Sequence, residues 1–216
     1  MSKRKYLVIL IPIVSAIFVV TGWGFELTGW RFPFRAAVSV SCAVILWLMF
    51  GQEVRRTVGW VIAALLVSSV ADWFMMNSGK VQVYFLYGVC LFFVAHVCFL
   101  VFCLKNGRID RWLLLSLLTG YLAFFFLVLR PAIFNPILLA AVLAYLLISC
   151  FSLAAAAGLR LSAMMRWCFT AGIALLVFSD TIIALKDYAG YKELGFLILP
   201  TYFASHIIVT LALISD

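Results

Sequence analysis

The sequence predicts an all-α polytopic bundle of about eight transmembrane helices with both termini cytoplasmic. Three observations lead there. Hydrophobic residues fill 67% of the 216 positions and charged ones only 11%, against roughly a quarter charged in an ordinary soluble domain. Apolar runs recur along the whole chain, each of about twenty residues and long enough to cross a hydrocarbon core of about 30 Å. The loops between them are too short to fold alone. Residues 1–216 therefore form a single transmembrane domain, and any chemistry falls to side chains on the helices or at their ends.

The first span runs from Tyr6 to Trp23. Lys3, Arg4 and Lys5 ahead of it could open a signal peptide, but no small-residue cleavage site follows, so the segment reads as a retained helix. The second span runs from Phe34 to Phe50, the third from Thr57 to Met76 and the fourth from Tyr84 to Leu104. The fifth covers Arg111 to Leu129, the sixth Ile137 to Ala157, the seventh Ala163 to Leu185 and the eighth Gly195 to Ile214. Tyr, Trp and Phe at the span ends read as interfacial anchors.

Orientation follows from the basic loops, since Lys and Arg are retained on the cytoplasmic side. With the N-terminus inside, Lys3, Arg4, Lys5, Arg55, Arg56, Lys105, Arg108, Arg111, Arg160 and Arg166 are cytoplasmic. Arg31, Arg35, Lys80, Arg130, Lys186 and Lys192 lie opposite, so the 16 basic residues divide ten against six. The expected location is a plasma membrane, such as a bacterial inner membrane. The net charge of +8 is spread between apolar runs without a continuous basic face, so nucleic acid is not an expected partner. The six cysteines, Cys42, Cys90, Cys98, Cys103, Cys150 and Cys168, stand in apolar segments without a C-x-x-C pair. They read as small hydrophobes between helices rather than as metal or redox groups.

Ionisable residues inside the spans are the functional signal. A carboxylate in hydrocarbon costs several kcal/mol unless it is paired, hydrated or protonated. Asp72 and Asp180 are the two acids so placed, while Glu26, Glu53, Asp110, Asp187, Glu193 and Asp216 fall in loops or at an end. Both histidines, His96 and His206, are also intramembrane, and the four should face a shared interior. Neighbours on the same helix faces agree. Ser68 and Ser69 stand behind Asp72, Ser179 and Thr181 flank Asp180, and Tyr202 and Thr210 lie one turn either side of His206. His96, among Phe92, Phe93 and Leu100, suits the apolar wall of a cavity.

From the helical rise, the aspartates lie about 6 to 10 Å below the non-cytoplasmic boundary and the histidines about 16 to 18 Å below it. That stagger disfavours one tight metal site, whose donors must all approach an ion within roughly 2.0 to 2.2 Å. No metal or other cofactor is expected. The chain also carries a weak internal repeat at an offset of four spans. Ser69-Val70-Ala71-Asp72 matches Val177-Phe178-Ser179-Asp180, and Ala95-His96-Val97 matches Ser205-His206-Ile207; Asp72 to His96 is 24 residues and Asp180 to His206 is 26. Parallel repeats of this kind place functional groups around an axis along the membrane normal.

Four segments carry a family resemblance: Ser-Ser-Val-Ala-Asp72, Phe85-Leu-Tyr-Gly88 through Ala95-His96, Leu176-Val-Phe-Ser-Asp180 and Tyr202-Phe-Ala-Ser-His206. In order and spacing they resemble the YhhN family of eight-span membrane proteins, whose animal members are lysoplasmalogenases. The chain departs from the family's pattern in having Ala71 before the first aspartate instead of Gly, and His206 instead of Gln in the last motif. Arg35 is the nearest counterpart of an early Lys-Pro element.

The resemblance implies hydrolysis of the vinyl ether bond of a lysoplasmalogen to a fatty aldehyde and a glycerophospho-alcohol, with lysophospholipid and membrane lipids as partners. Asp72 and Asp180 would be the catalytic acid and base, in an order the sequence leaves open. His96, His206, Tyr202, Ser69, Ser179 and Arg35 would bind substrate or support the pair. Two acids suit the chemistry: one supplies a proton to the alkene carbon, and the other stabilises the oxocarbenium ion and activates water. The lipid tail would extend past Phe92, Phe93 and His96, and Arg35, Lys80 or Lys186 could meet the phosphate. Two rival readings are a proton-coupled transporter of small molecules or lipids, since buried Asp and His also build proton relays, and a metal-dependent lipid amidase. Prolines near span ends count against the first, and the lack of a third histidine counts against the second.

Overall fold

In this computed structural model the described residues are 9–21, 31–79, 81 and 83–215. Lys3, Arg4, Lys5, Glu26, Lys80, Asp216 and both ends of the first expected span lie outside them. Eight helices follow one another: α1 (Leu10–Thr21), α2 (Arg31–Met49), α3 (Gln52–Asn77), α4 (Val83–Asn106), α5 (Arg111–Ala132), α6 (Pro136–Ala157), α7 (Ala163–Tyr188) and α8 (Ile198–Ile214). Among the described residues seven of these, α2 to α8, are long and apolar enough to cross a membrane, α8 together with the turn before it.

The helices begin where the sequence supplies a partner for the unpaired N–H groups of a first turn. Asp110 accepts from Trp112 N and Leu113 N to open α5; Asn135 accepts from Ile137 N and Leu138 N to open α6. Ser162 does the same for α7 through Met165 N. Proline explains the two irregular stretches. Pro131 has no N–H for the Leu127 carbonyl, and α5 widens into a π turn at Phe125–Leu129 before it ends. The eighth span begins with a 3₁₀ turn at Lys192–Leu197, three residues before the expected Gly195. The α-helix proper starts at Ile198, with Pro200 in its first turn, where a missing N–H costs nothing.

Six helices close a ring in the order α2, α3, α4, α6, α7, α8, with α8 returning to α2. The other two lie outside it: α1 rests on α2 and α8, and α5 rests on α6 and, through its π turn, touches α7. Moving four helices along the chain carries each contact between neighbours in the ring onto another, α2·α3 onto α6·α7, α3·α4 onto α7·α8, and α4·α6 onto α8·α2. The internal repeat is therefore visible in packing.

The main core joins the ring helices through Leu46, Leu65, Phe99, Phe169, Ile173 and Phe203, and a smaller cluster with Phe125, Leu129, Val142 and Leu146 seats α5 on α6. Leu48, Leu127, Ile137 and Phe196 point outward, as lipid-facing side chains do. The α4–α5 and α6–α7 loops are tied by Arg108 N to Gly158 O at 3.0 Å and Arg160 N to Asn106 O at 2.9 Å. A side chain at Gly158 would collide with the Arg108 carbonyl.

Close approach of α7 and α8 depends on Gly172, since small residues let membrane helices pack backbone to backbone. A Cβ there would lie 2.6 Å from Val209 Cγ2 and 3.1 Å from both Ser205 O and Val209 N. Gly172→Ala is expected to lower stability by about 1 to 3 kcal/mol, the usual result of overpacking. A drop in the thermal unfolding midpoint in detergent would show it, and an unchanged midpoint would mean that the interface can spread.

Candidate active site

The ring encloses two adjoining spaces. A chamber of about 300 Å³ is lined by Arg35, Asp72, Ser179, Asp180, Lys186 and Tyr202, among others, with Ser78 and Asp187 also on its wall. A narrower slot of about 60 Å³ lies between α4, α6 and α7 and is almost wholly apolar, with Phe85, Val89, Val142, Ile183 and Ala184 on its walls. Met75, Phe92, Asp180 and Ile183 border both. Asp72 borders the chamber alone.

Each aspartate is held by a tyrosine. Tyr202 of α8 donates its hydroxyl to Asp72 Oδ2 at 2.9 Å, and Tyr145 of α6 donates to Asp180 Oδ2. Arg35 adds a permanent positive charge within electrostatic range of Asp72, and the two aspartates feel each other. Each buried histidine is anchored by a serine from the other half of the chain. His96 Nδ1 and Ser152 Oγ of α6 are 2.7 Å apart, and His206 Nδ1 and Ser39 Oγ of α2 are 2.9 Å apart. The four-helix offset exchanges these two pairs, so the repeat extends to hydrogen bonding.

The halves diverge four residues before each histidine, where α8 carries Tyr202 and α4 carries Phe92. Phe92 cannot hold Asp180 as Tyr202 holds Asp72. Tyr145 does so from α6, and the space beside Phe92 becomes the apolar slot.

Of the residues singled out in the sequence, Arg35, Asp72, Ser179, Asp180 and Tyr202 share the chamber wall. Ser179 also donates to Ile198 O at 3.0 Å, tying α7 to the start of α8. His96 stands behind Asp180, with Nε2 facing Oδ2 at 3.6 Å. The two expected layers therefore meet, because the side chains span the difference in depth between their backbones. His206 is sealed behind Tyr202, ring centroids 4.4 Å apart, and Ser69 is buried on α3 away from the chamber wall. The tail path expected past Phe93 and His96 is closed at His96, which is fully buried; the open route runs by Phe85, Val89 and Phe92. Tyr145, Ser149 and Ser152 went unread in the sequence, although a mid-span tyrosine with serines four and seven positions later forms one polar stripe on an apolar helix. Among the described residues no three His, Cys, Asp or Glu side chains converge on a metal-sized site.

The YhhN family model matches residues 30–213. The chain belongs to the YhhN family. Comparison with curated proteins and with solved structures gives no match. Membership covers α2 to α8 almost in full, and so includes the ring, both aspartates and both histidines of this YhhN protein.

The Ser39 hydroxyl is the partner of His206 Nδ1, while Nε2 of that ring is buried without a hydrogen bond. Removing the hydroxyl leaves both ring nitrogens unpaired in the core, at a cost of about 1 to 3 kcal/mol. Ser39→Ala should therefore unfold at a clearly lower temperature, and Ser39→Thr, which keeps a hydroxyl, should recover part of the loss. Equal midpoints for Ser39→Ala and the wild type would mean that this pair carries no stability.

Proposed function

We propose that this YhhN protein is a membrane lipid hydrolase that cleaves the vinyl ether bond of lysoplasmalogens. The observation that carries the reading is the junction at Asp180, where a polar chamber that holds Asp72 and Asp180 meets an apolar slot. A single-chain lipid has that same division. Its vinyl ether lies between glycerol and hydrocarbon, so a head group in the chamber and a chain in the slot bring the reacting bond to the aspartates. Arg35 and Lys186 supply positive charge for a phosphate and Asp187 supplies negative charge for an ammonium group. Phe85, whose ring meets Tyr188 edge-on at 6.0 Å, lines the slot that takes the chain.

The reaction asks for little beyond these groups. Proton transfer to the outer alkene carbon creates an oxocarbenium ion, a water oxygen adds to it, and the hemiacetal breaks into aldehyde and alcohol. Acid and base groups fixed beside the reacting bond contribute about 10²- to 10⁴-fold to such a step. Family membership supports the same reading through the lysoplasmalogenase activity of animal members.

Purified protein in detergent or vesicles is expected to release fatty aldehyde from a lysoplasmenyl lipid. Asp72→Asn and Asp180→Asn should each lower kcat by about 10²- to 10⁴-fold while the protein stays helical. Full activity in either variant would remove the two-carboxyl mechanism, and no aldehyde from any vinyl ether lipid would remove the substrate class.

A further inference from the structure

We infer that the two aspartates are not equivalent: Asp180 is the proton donor to the alkene carbon, with His96 behind it as a positioning residue, and Asp72 is the carboxylate that activates water. This rests on the vinyl ether reading above. Two independent observations lead to it.

The first is access. The atom that must be protonated is the second carbon of the alkenyl chain, and the atom that water attacks is the first, bonded to the ether oxygen. Asp180 borders the apolar slot as well as the chamber, so it alone of the pair reaches the hydrocarbon side. Asp72 faces only the polar chamber, where water and the head group belong.

The second is hydrogen-bond accounting. Ser152 Oγ lies 2.7 Å from His96 Nδ1 and 3.1 Å from Ser149 O. Its hydroxyl has one hydrogen. Turned toward Nδ1, that hydrogen leaves the imidazole carrying its own on Nε2, aimed at Asp180. Turned toward the Ser149 carbonyl, it lets Nδ1 donate to Oγ, and Nε2 then presents its lone pair toward Asp180. Either arrangement keeps Nδ1 paired with Ser152, while Nε2 faces Asp180 at 3.6 Å with no hydrogen bond of its own, so the ring can take either tautomer without losing its serine. Among the described residues, the titratable groups facing Asp180 and its histidine are Asp72, Tyr121, Tyr145 and Tyr202, with Lys186 and Asp187 on the same chamber wall. Histidine is the side chain suited to proton exchange near neutral pH, and among the described residues the carboxylate that a histidine nitrogen faces is Asp180, not Asp72. The neighbours of Asp72 are instead the Tyr202 hydroxyl and the permanent charge of Arg35.

The cycle closes with these roles. The Asp180 O–H bond breaks and its proton forms a C–H bond at the outer alkene carbon, with the π pair moving to that carbon and an oxygen lone pair completing the oxocarbenium ion. Water forms a C–O bond at the cationic carbon as Asp72 takes one of its protons. Asp180 then accepts the hemiacetal hydroxyl proton, a C=O bond forms, and the ether C–O bond breaks as Asp72 returns its proton to the departing oxygen. One water is consumed, aldehyde and alcohol leave, and both carboxyl groups end as they began.

Deuterium exchange separates the roles. In D₂O, Asp72→Asn still protonates carbon but captures the cation slowly, so the step reverses and recovered vinyl ether substrate gains deuterium at the outer alkene carbon, read by mass spectrometry. Asp180→Asn is expected to show no exchange. His96→Gln is expected to lower kcat by about ten- to hundredfold, less than Asp180→Asn, and to alter the shape of the pH–rate profile. Ser152→Ala is expected to do the same more weakly, and carries the test if His96→Gln does not fold. Exchange in Asp180→Asn, exchange in neither variant, or a His96→Gln profile that is scaled but unchanged in shape overturns the assignment. Wild-type protein that yields no aldehyde from any vinyl ether lipid fails the underlying reading instead, whatever the variants do.

Discussion

A polar group inside a bilayer has no water to fall back on, so its partner must come from the protein. The arrangement of this molecule follows from that constraint. Asp72, His96, Asp180 and His206 lie on four different helices, and each finds a partner on another helix: Tyr202, Ser152, Tyr145 and Ser39. These bonds link α3 to α8, α4 to α6, α7 to α6 and α8 to α2. The first crosses the ring and the other three join neighbours in it, and together they keep polar groups at its centre.

The same constraint makes the repeat informative. Two four-helix halves, each with one aspartate and one histidine, would give a symmetric pocket if every partner were duplicated. The Ser–His pairs are duplicated, and the tyrosines are not. With Phe92 where symmetry would call for a tyrosine, Asp180 takes its hydroxyl donor from α6 and gains an apolar neighbour. One substitution thus gives the two aspartates different surroundings. Asymmetry of this sort suits a reaction on a lipid, which is polar at one end and apolar at the other and needs an acid and a base in separate places. Gly88, opposite Met75 across the α3–α4 contact, helps keep that junction open, since Met75 borders both spaces.

How far the sequence could be read depended on the kind of signal. The spans stood out because hydrophobic length is a local property, and the helices differ from expectation mainly at ends decided by backbone geometry. Pro131 and Pro200 were visible, but the π turn and the 3₁₀ turn they accompany arise from how a broken hydrogen-bond ladder repacks against neighbours. The intramembrane Asp and His residues stood out because they are costly where they are. Tyr145, Ser152 and Ser39 did not, since a hydroxyl in an apolar helix is cheap enough to pass as packing until its partner is known.

Composition and periodicity by themselves determined that this chain is an all-α membrane bundle and that two acids and two histidines lie inside its spans. The four family segments added the YhhN assignment. Only the tertiary structure decided which of those residues meet. It put Asp72 and Asp180 on one chamber, brought His96 against Asp180 despite the difference in backbone depth, set His206 behind Tyr202, and opened the slot beside Phe92 rather than past His96. The physical reason is that hydrophobicity specifies which residues leave water but is indifferent to direction. Partner choice inside the bilayer is made by hydrogen bonds between different helices, and those exist only once the ring has closed.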